Sequence, residues 1–300
     1  MIAHLPILQV IIPLMAAPIC LMLKRTQLAW FFSIIASGLA FAVSILLLQQ
    51  VMASGVISYE LGGWQAPWGI EYRIDKLNAF LLLIISGIST VVLFAAQTSL
   101  EKEIPKDKHI YFYVLYLLSL TGMLGIVATG DAFNVFVFLE ISSLSAYALI
   151  GMGNKRQALW ASYQYLIMGT IGATFILIGI GLMYQMTGTL NMHDLSQRLP
   201  EVEQSRTVLA AFAFVIVGVC LKLAMFPLHL WLPNAYAYAP SIVTAFFAAT
   251  ATKVAVYLLI RFTFSVFGFS FSFTHIPLQT IFMALGLIGI FVASTSAIYQ

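Results

Sequence analysis

The sequence predicts an all-α fold, a polytopic bundle of transmembrane helices, and three observations predict it. Of the 300 residues, 61% are hydrophobic and only 8% charged, against about 25% charged in an ordinary soluble domain. So few charges cannot cover a water-facing surface of this size. The stretches 26–59, 77–100, 110–130, 157–192 and 262–300 contain no Asp, Glu, Lys or Arg. A bilayer core about 30 Å thick takes roughly 20 helical residues to cross, so each stretch crosses at least once; a closed barrel would instead show alternating segments of about 10 residues. The polar breaks, finally, fall where they divide the chain into lengths of about one crossing each.

Taken in order, the spans are 5–23, 28–50, 77–99, 110–130, 132–153, 158–186, 207–231, 240–262 and 276–298, nine in all. The first is read as a retained helix, because Lys24 and Arg25 follow its apolar stretch, whereas a cleavable signal carries its positive charge in front. The chain therefore reads as a single membrane domain, 1–300. Lys and Arg in short loops set orientation. With the N-terminus outside, the inner loops hold Lys24, Arg25, Lys102, Lys106, Lys108, Lys155 and Arg156, seven positives, against five on the outer side, Arg73, Lys76, Arg198, Arg206 and Arg261. The expected arrangement is N-terminus outside and C-terminus inside. The last span runs to Gln300 without a polar tail, which reads as a truncated chain or one piece of a split gene.

Other classes find no support in the residues. A net charge of +3 is spread over many loops, with no cluster of the kind a nucleic-acid-binding face needs. Cys20 and Cys220 both lie in apolar stretches, which argues against a disulfide framework or a metal site. No GxxxxGK[ST], GxGxxG or HExxH motif occurs, nor paired histidines at haem or metal spacing. No cofactor is expected, and the chain reads as a transporter component rather than an enzyme. The phenylalanines of 262–273 read as packing or lipid-facing surface.

The informative residues are charges inside the spans. A charge at a helix centre costs roughly 2.5–3.5 kcal/mol to insert and usually faces a protein or water-filled interior. Glu140 has about nine apolar-helix residues on each side in DAFNVFVFLEISSLSAYALIG, and Ser143 and Tyr147 follow on its face, placed to offer hydroxyls to a carboxylate. Lys222, in VIVGVCLKLAMFPLHLWLP, lies too deep to snorkel. Pro227 removes a backbone donor and collides with the Leu223 carbonyl, and Pro233 does the same to His229, so the helix must kink or open just after Lys222. Interrupted helices beside an ionisable group recur in transporter sites. His229 follows seven residues after Lys222, as a bundle histidine or a proton relay. Lys253 is well inside IVTAFFAATATKVAVYLLIR, near Thr250 and Thr252, whereas Arg261 at that span's end reads as a snorkelling anchor. Desolvation disfavours an ammonium and a neighbouring carboxylate favours it. A lysine that alternately meets and loses such a partner releases and rebinds a proton.

The segment KLAMFPLHLWLPNAYAYAPSIVTAFFAATATKVAVYLLIR, 222–261, resembles the signature of the proton-conducting membrane transporter family, and so do GDAFNVFVFLEISSLSAYALIG and LGGWQAPWGIEYRIDKLNAF. That family comprises antiporter-like subunits of respiratory complex I, of membrane-bound hydrogenases and of the multisubunit Mrp cation/proton antiporters; the likeness to the D-type Mrp subunit is strongest. The resemblance implies that Glu140 is the glutamate of the fifth helix, Lys222 the lysine of the broken seventh and Lys253 that of the eighth. It further implies that Glu140 and Lys222 form a pair whose separation gates proton movement, that Lys253 passes protons onward, and that His229 is the frequent histidine of the PLHxWLP stretch. Where many relatives have WLPDAH this chain has WLPNAY, so Asn234 lacks the acid and Tyr236 the imidazole. Relatives resemble fourteen-helix proteins built from two inverted five-helix repeats. On that pattern 1–99 holds three N-terminal helices, 110–262 the first repeat and 276–300 an incomplete start of the second. The implied partners are other membrane subunits of an antiporter or complex I-like assembly, protons, sodium or another monovalent cation, and the bilayer. Two readings compete with an antiporter subunit: a proton-pumping subunit of a complex I or hydrogenase assembly, and a non-conducting scaffold.

Overall fold

The computed structural model of the chain describes residues 4–299. Among these, nine helices are long and apolar enough to cross a membrane, matching the nine expected spans. The elements run α1 (Leu5–Met22), α2 (Thr26–Ser54), β1 (Ile57–Glu60), β2 (Glu71–Ile74), α3 (Lys76–Glu103), α4 (His109–Ala128), α5 (Ala132–Gly151), α6 (Arg156–Thr187), α7 (Met192–Val202), α8 (Arg206–Leu223), α9 (Trp231–Tyr238), α10 (Ser241–Ile260) and α11 (Leu278–Tyr299). Of these described helices, only α7, with a largely polar sequence, and the eight-residue α9 are not spans.

Two segments expected as plain loops carry structure. β1 and β2 form an antiparallel hairpin pairing Ile57 with Ile74 and Glu60 with Glu71. Residues 188–205 include α7, whose start is capped by the Asn191 side chain, which accepts from the His193 and Asp194 amides. The two are joined through the α4–α5 turn: Tyr72 bridges Thr129, Asp131 bridges Asn191, and Glu71 accepts from Ser58 Oγ at 2.7 Å and Asn191 Nδ2 at 2.7 Å. Asp131 caps α5 by accepting from the Asn134 amide at 2.7 Å; burial pushes its carboxyl pKa up, and the hydrogen bonds it receives from the Asn134 and Phe133 amides pull the other way. At the opposite end of the bundle, Glu103 at the close of α3 accepts from the Ser241 amide at 2.5 Å, a negative charge at the positive start of α10.

α1 to α4 pack as one group through small residues and hydroxyls. Gln9 donates to Ser44 at 2.8 Å, Ser44 meets Ser86 at 2.9 Å, and Ser37 donates to Ser89 at 3.0 Å. Such groups are satisfied between helices where lipid supplies no partner. The second group joins α5, α6 and α8 and is laid against the first by α4 and α10. α6 and α8 meet where Gly172 and Gly218 face each other: a Cβ on Gly218 would stand 2.6 Å from the Gly172 carbonyl oxygen, so only glycine allows this approach. The expected span 207–231 is shorter than read, because α8 ends at Leu223. Beyond α10 the chain continues in π-helical turns over Arg261–Val266 and Ser270–His275, where Phe267 and Phe271 pack against Phe212 at 4.9 and 5.4 Å. These are core contacts, whereas Phe264 and Phe269 are exposed, so the stretch serves as both packing and outer surface.

Candidate functional site

The centre of the second group is built on the break in α8. Ala224 adopts the left-handed conformation (φ 56°, ψ 42°), the Met225 amide donates back to Cys220 O at 3.0 Å, and Pro227 follows. This is a Schellman-type stop with alanine where glycine is usual. The Leu221 carbonyl, displaced from its helical partner, accepts from the Ala224 amide at 3.2 Å and from Trp231 Nε1 at 3.1 Å, which meets the need to pair a carbonyl at membrane depth. The Trp231 ring in turn stacks on Tyr165 at 4.1 Å. The expected opening after Lys222 is present. Pro233 plays a different part from the one its sequence context suggests: it lies in the first turn of α9, where a proline costs no hydrogen bond.

Lys222 sits on the last turn of α8, and its Nζ donates to Ser143 Oγ at 2.8 Å and to Tyr147 OH at 3.5 Å. Both hydroxyls come from α5, one and two turns beyond Glu140. Their spacing in the sequence suggests partners for the carboxylate, and here they serve the ammonium instead. Gly169 of α6 makes this possible, since a Cβ there would overlap the Tyr147 hydroxyl. Among the described residues, Glu140 and Lys222 make no ion pair, and the buried Oε1 of Glu140 has no hydrogen-bond partner. Lys222 also borders a cavity of about 50 Å³ with Ser142, Ser143, Tyr165, Tyr236 and Thr252. A water needs roughly 10–15 Å³ of such space and two to four polar partners, so the cavity has room and hydroxyls for a short chain of them.

The other two expected residues lie apart from this cluster. His229 is in the break itself, its ring 5.5 Å from that of Phe226, with Nδ1 unpartnered among the described residues. Lys253 is on the outer face of α10, exposed, and its Nζ turns back to the Ala248 carbonyl at 2.5 Å. Of the two departures, Asn234 donates to Gln164 Oε1 at 3.0 Å and so ties α9 to α6, and Tyr236 lines the cavity.

One polar centre is not visible in the sequence. Arg261 is no snorkelling anchor. Its Nη2 meets Asp75 Oδ2 at 2.5 Å and its Nε donates to Tyr257 OH at 3.0 Å. Tyr257 donates to Val127 O at 3.1 Å, which also accepts from Asn78 Nδ2 at 3.1 Å. The Arg261 side chain is only 16% exposed. The available signal was Asp75 and Asn78 at the start of one span and Arg261 at the end of another, on the same side by span parity.

The chain is similar to known membrane proteins. The family described as NADH:quinone oxidoreductase/Mrp antiporter, transmembrane, matches residues 129–300, a stretch that includes Glu140, Lys222, His229 and Lys253. The N-type NADH-quinone oxidoreductase subunit of Desulforudis audaxviator is 44% identical over 269 residues, covering 89% of this chain and 53% of that protein. The D-type Na(+)/H(+) antiporter subunit of Bacillus subtilis is 34% identical over 290 residues, covering 94% and 58%. Among solved structures, a chain of the Mrp complex from Dietzia sp. DQ12-45-1b superposes with a TM-score of 0.79 at 26% identity, covering 89% of this chain and 49% of that one. A chain of the membrane-bound sulfane sulfur reductase, an archaeal respiratory membrane complex, gives 0.80 at 32%, covering 90% and 55%. The chain thus spans about half the length of the relatives it matches. It is a multi-pass membrane protein and belongs to the NADH:quinone oxidoreductase/Mrp antiporter transmembrane family.

Proposed function

We propose that this chain is a proton-translocating subunit of a multisubunit cation/proton antiporter, in which Glu140 and Lys222 exchange partners to move a proton. The observation that carries the reading is the incomplete pairing at the break. Lys222 is held by two hydroxyls beside a polar cavity, while Glu140 keeps a carboxylate oxygen without a partner among the described residues, on the same helix as those hydroxyls. A buried charge without its countercharge is costly. Drawing Glu140 onto Lys222 favours the ammonium; parting them favours the neutral amine and sends a proton into the cavity. His229 is assigned to delivery at the break, and Lys253 to onward transfer to whatever helices cover its exposed face. Residues 110–262 are taken as the first repeat of the fold and 276–300 as the start of a second. The partners are further membrane subunits, and sodium or another monovalent cation is the exchanged ion.

A second reading keeps the same proton step in an NADH-quinone oxidoreductase-type assembly, driven by a redox arm. The higher identity to the oxidoreductase relative, 44% against 34% for the antiporter relative, favours it.

The test is proton transport in vesicles carrying the whole assembly, with protein level followed by immunoblot. Glu140→Gln and Lys222→Met are each expected to reduce transport at least tenfold, and the double variant to be little worse than either, as for residues acting as one unit. Near-normal transport in either variant at normal abundance removes that residue from the path and leaves the scaffold reading in front. The N-terminus is assigned to the outside, in a bacterial inner membrane. A cysteine in place of Lys106 is then labelled only from the cytoplasm and one in place of Arg198 only from outside, against native Cys20 and Cys220 that are both buried; labelling of both from one side reverses the assignment.

A further inference from the structure

A second polar cavity lies away from the break, where the starts of α2 and α4 meet the end of α3. It measures about 190 Å³ and is bordered by Thr26, Gln27, Glu101, Lys106, His109 and Tyr113. Neither helix start has a side-chain cap: the residues in the cap positions are Arg25 and Lys108, and neither accepts from the first-turn amides. At α4 the preceding turn of 3-10 helix, Lys106–Lys108, already uses the Lys108 and His109 amides, which donate to the Pro105 and Lys106 carbonyls, whereas the start of α2 offers free N–H groups and the positive end of the helix dipole, a combination suited to phosphate. Tyr113 is the independent sign of a ligand. Its side chain is fully buried, it borders the cavity, and its hydroxyl has no partner among the described residues. A buried hydroxyl without a bond is costly, and a phosphate oxygen would supply one.

The cavity also holds the opposite charge. Glu101 stands on the α3 side and Lys106 opens the 3-10 turn that runs into α4. A simple anion would gain from Lys106 and the amides but would be repelled by Glu101. A group bearing a phosphate and an ammonium a few ångströms apart satisfies both. All three helices are membrane spans ending here, so the cavity lies at headgroup depth, where basic pockets between helices take lipid headgroups.

We propose that this cavity is a binding site for an aminophospholipid of the phosphatidylethanolamine type, its phosphate held by Lys106, the start of α2 and the Tyr113 hydroxyl, and its ammonium by Glu101. The inference is independent of any proton step.

The experiment is native mass spectrometry of the full assembly, purified in mild detergent and supplied with equal amounts of phosphatidylethanolamine, phosphatidylglycerol and phosphatidylcholine. Phosphatidylethanolamine is expected to be retained in preference to the other two. Tyr113→Phe and Lys106→Ala should each weaken retention about tenfold, the scale of a hydrogen bond to a charged group. Glu101→Gln should erase the preference over phosphatidylglycerol. Lys102→Ala, outside the cavity, should change neither. Should Lys106→Ala fail to accumulate, Tyr113→Phe carries the test, since it removes one oxygen from an otherwise unchanged ring. Unchanged retention in Tyr113→Phe overturns the site, and so does displacement by millimolar inorganic phosphate with no preference among the lipids, which would mark a plain anion site.

Discussion

Two polar regions of this molecule hold charges in or near the membrane, and they are paired in opposite ways. At one end of the bundle, the Arg261 guanidinium is bonded to both Asp75 and Tyr257, and the bonds continue to Val127 and Asn78. Asp75 is itself fixed, since its Oδ1 accepts from the Leu77 and Asn78 amides at 3.0 and 3.1 Å. At the centre, among the described residues, Lys222 has neutral hydroxyl partners only and Glu140 has a carboxylate oxygen with none. A fully bonded network has one arrangement and resists change. An incompletely bonded one has a second arrangement within reach, the ion pair itself. The residue types agree with this division. Arginine never gives up its proton, whereas lysine does so readily when desolvated.

The largest effect expected from that contrast comes from exchanging the two cation types. Lys222→Arg keeps the positive charge and removes the ability to release a proton, so transport in vesicles should fall at least tenfold, the scale of a lost proton-transfer group. Arg261→Lys keeps the charge and one bond to Asp75, so transport per assembled complex should stay within about twofold, with a loss of stability instead. Transport surviving Lys222→Arg would make the centre a structural charge like the other.

Stability should separate the regions next. Asp75→Asn leaves a largely buried guanidinium without its counter-ion and is expected to cost about 2–3 kcal/mol, toward the lower end for a broken buried pair because both side chains retain some exposure. Glu140→Gln removes a carboxylate that has no ionic partner among the described residues and is expected to cost less than about 0.5 kcal/mol or to stabilise. Thermal unfolding of the purified assembly measures both, and equal costs would mean that Glu140 is paired in the membrane after all.

The contrast also explains what the sequence disclosed. The spans were legible because a bilayer imposes length and apolarity on every crossing, and the break was legible because Pro227 cannot continue a helix. Glu140, Lys222 and Lys253 stood out because charges are rare at such depth. What was hidden depends on which helices touch. Nothing local to Arg261 says that Asp75, some 186 positions earlier in the chain, lies 2.5 Å away, and an arginine near a span end has an acceptable reading as an anchor. Ser143 and Tyr147 share a helix face with Glu140, so sequence points them to it; only the approach of α8 gives them to Lys222. The β1–β2 hairpin and α7 were missed because segments outside the bilayer lack its strict length rule.

The smallest expected effect lies in the backbone, and it compares two helix ends. α6 stops at Gly188 in the left-handed conformation (φ 71°) and α8 stops at Ala224 in the same region (φ 56°). Glycine takes that conformation without penalty, while an L-residue with a Cβ pays roughly 1–2 kcal/mol. Ala224→Gly is therefore expected to stabilise the folded assembly by about 1 kcal/mol, and Gly188→Ala to destabilise it by a similar amount. Ala224→Val should cost more, because a β-branched side chain fits the left-handed region worst. The informative result is transport by Ala224→Gly. If Ala224 is no more than an imperfect helix stop, the variant is more stable and transports normally. If the break must shift when Lys222 exchanges partners, a relaxed stop deepens one arrangement at the expense of the other, and transport falls while stability rises. That opposite movement of the two measurements would place the hinge of the central region at Ala224, whereas Gly188→Ala should change stability alone.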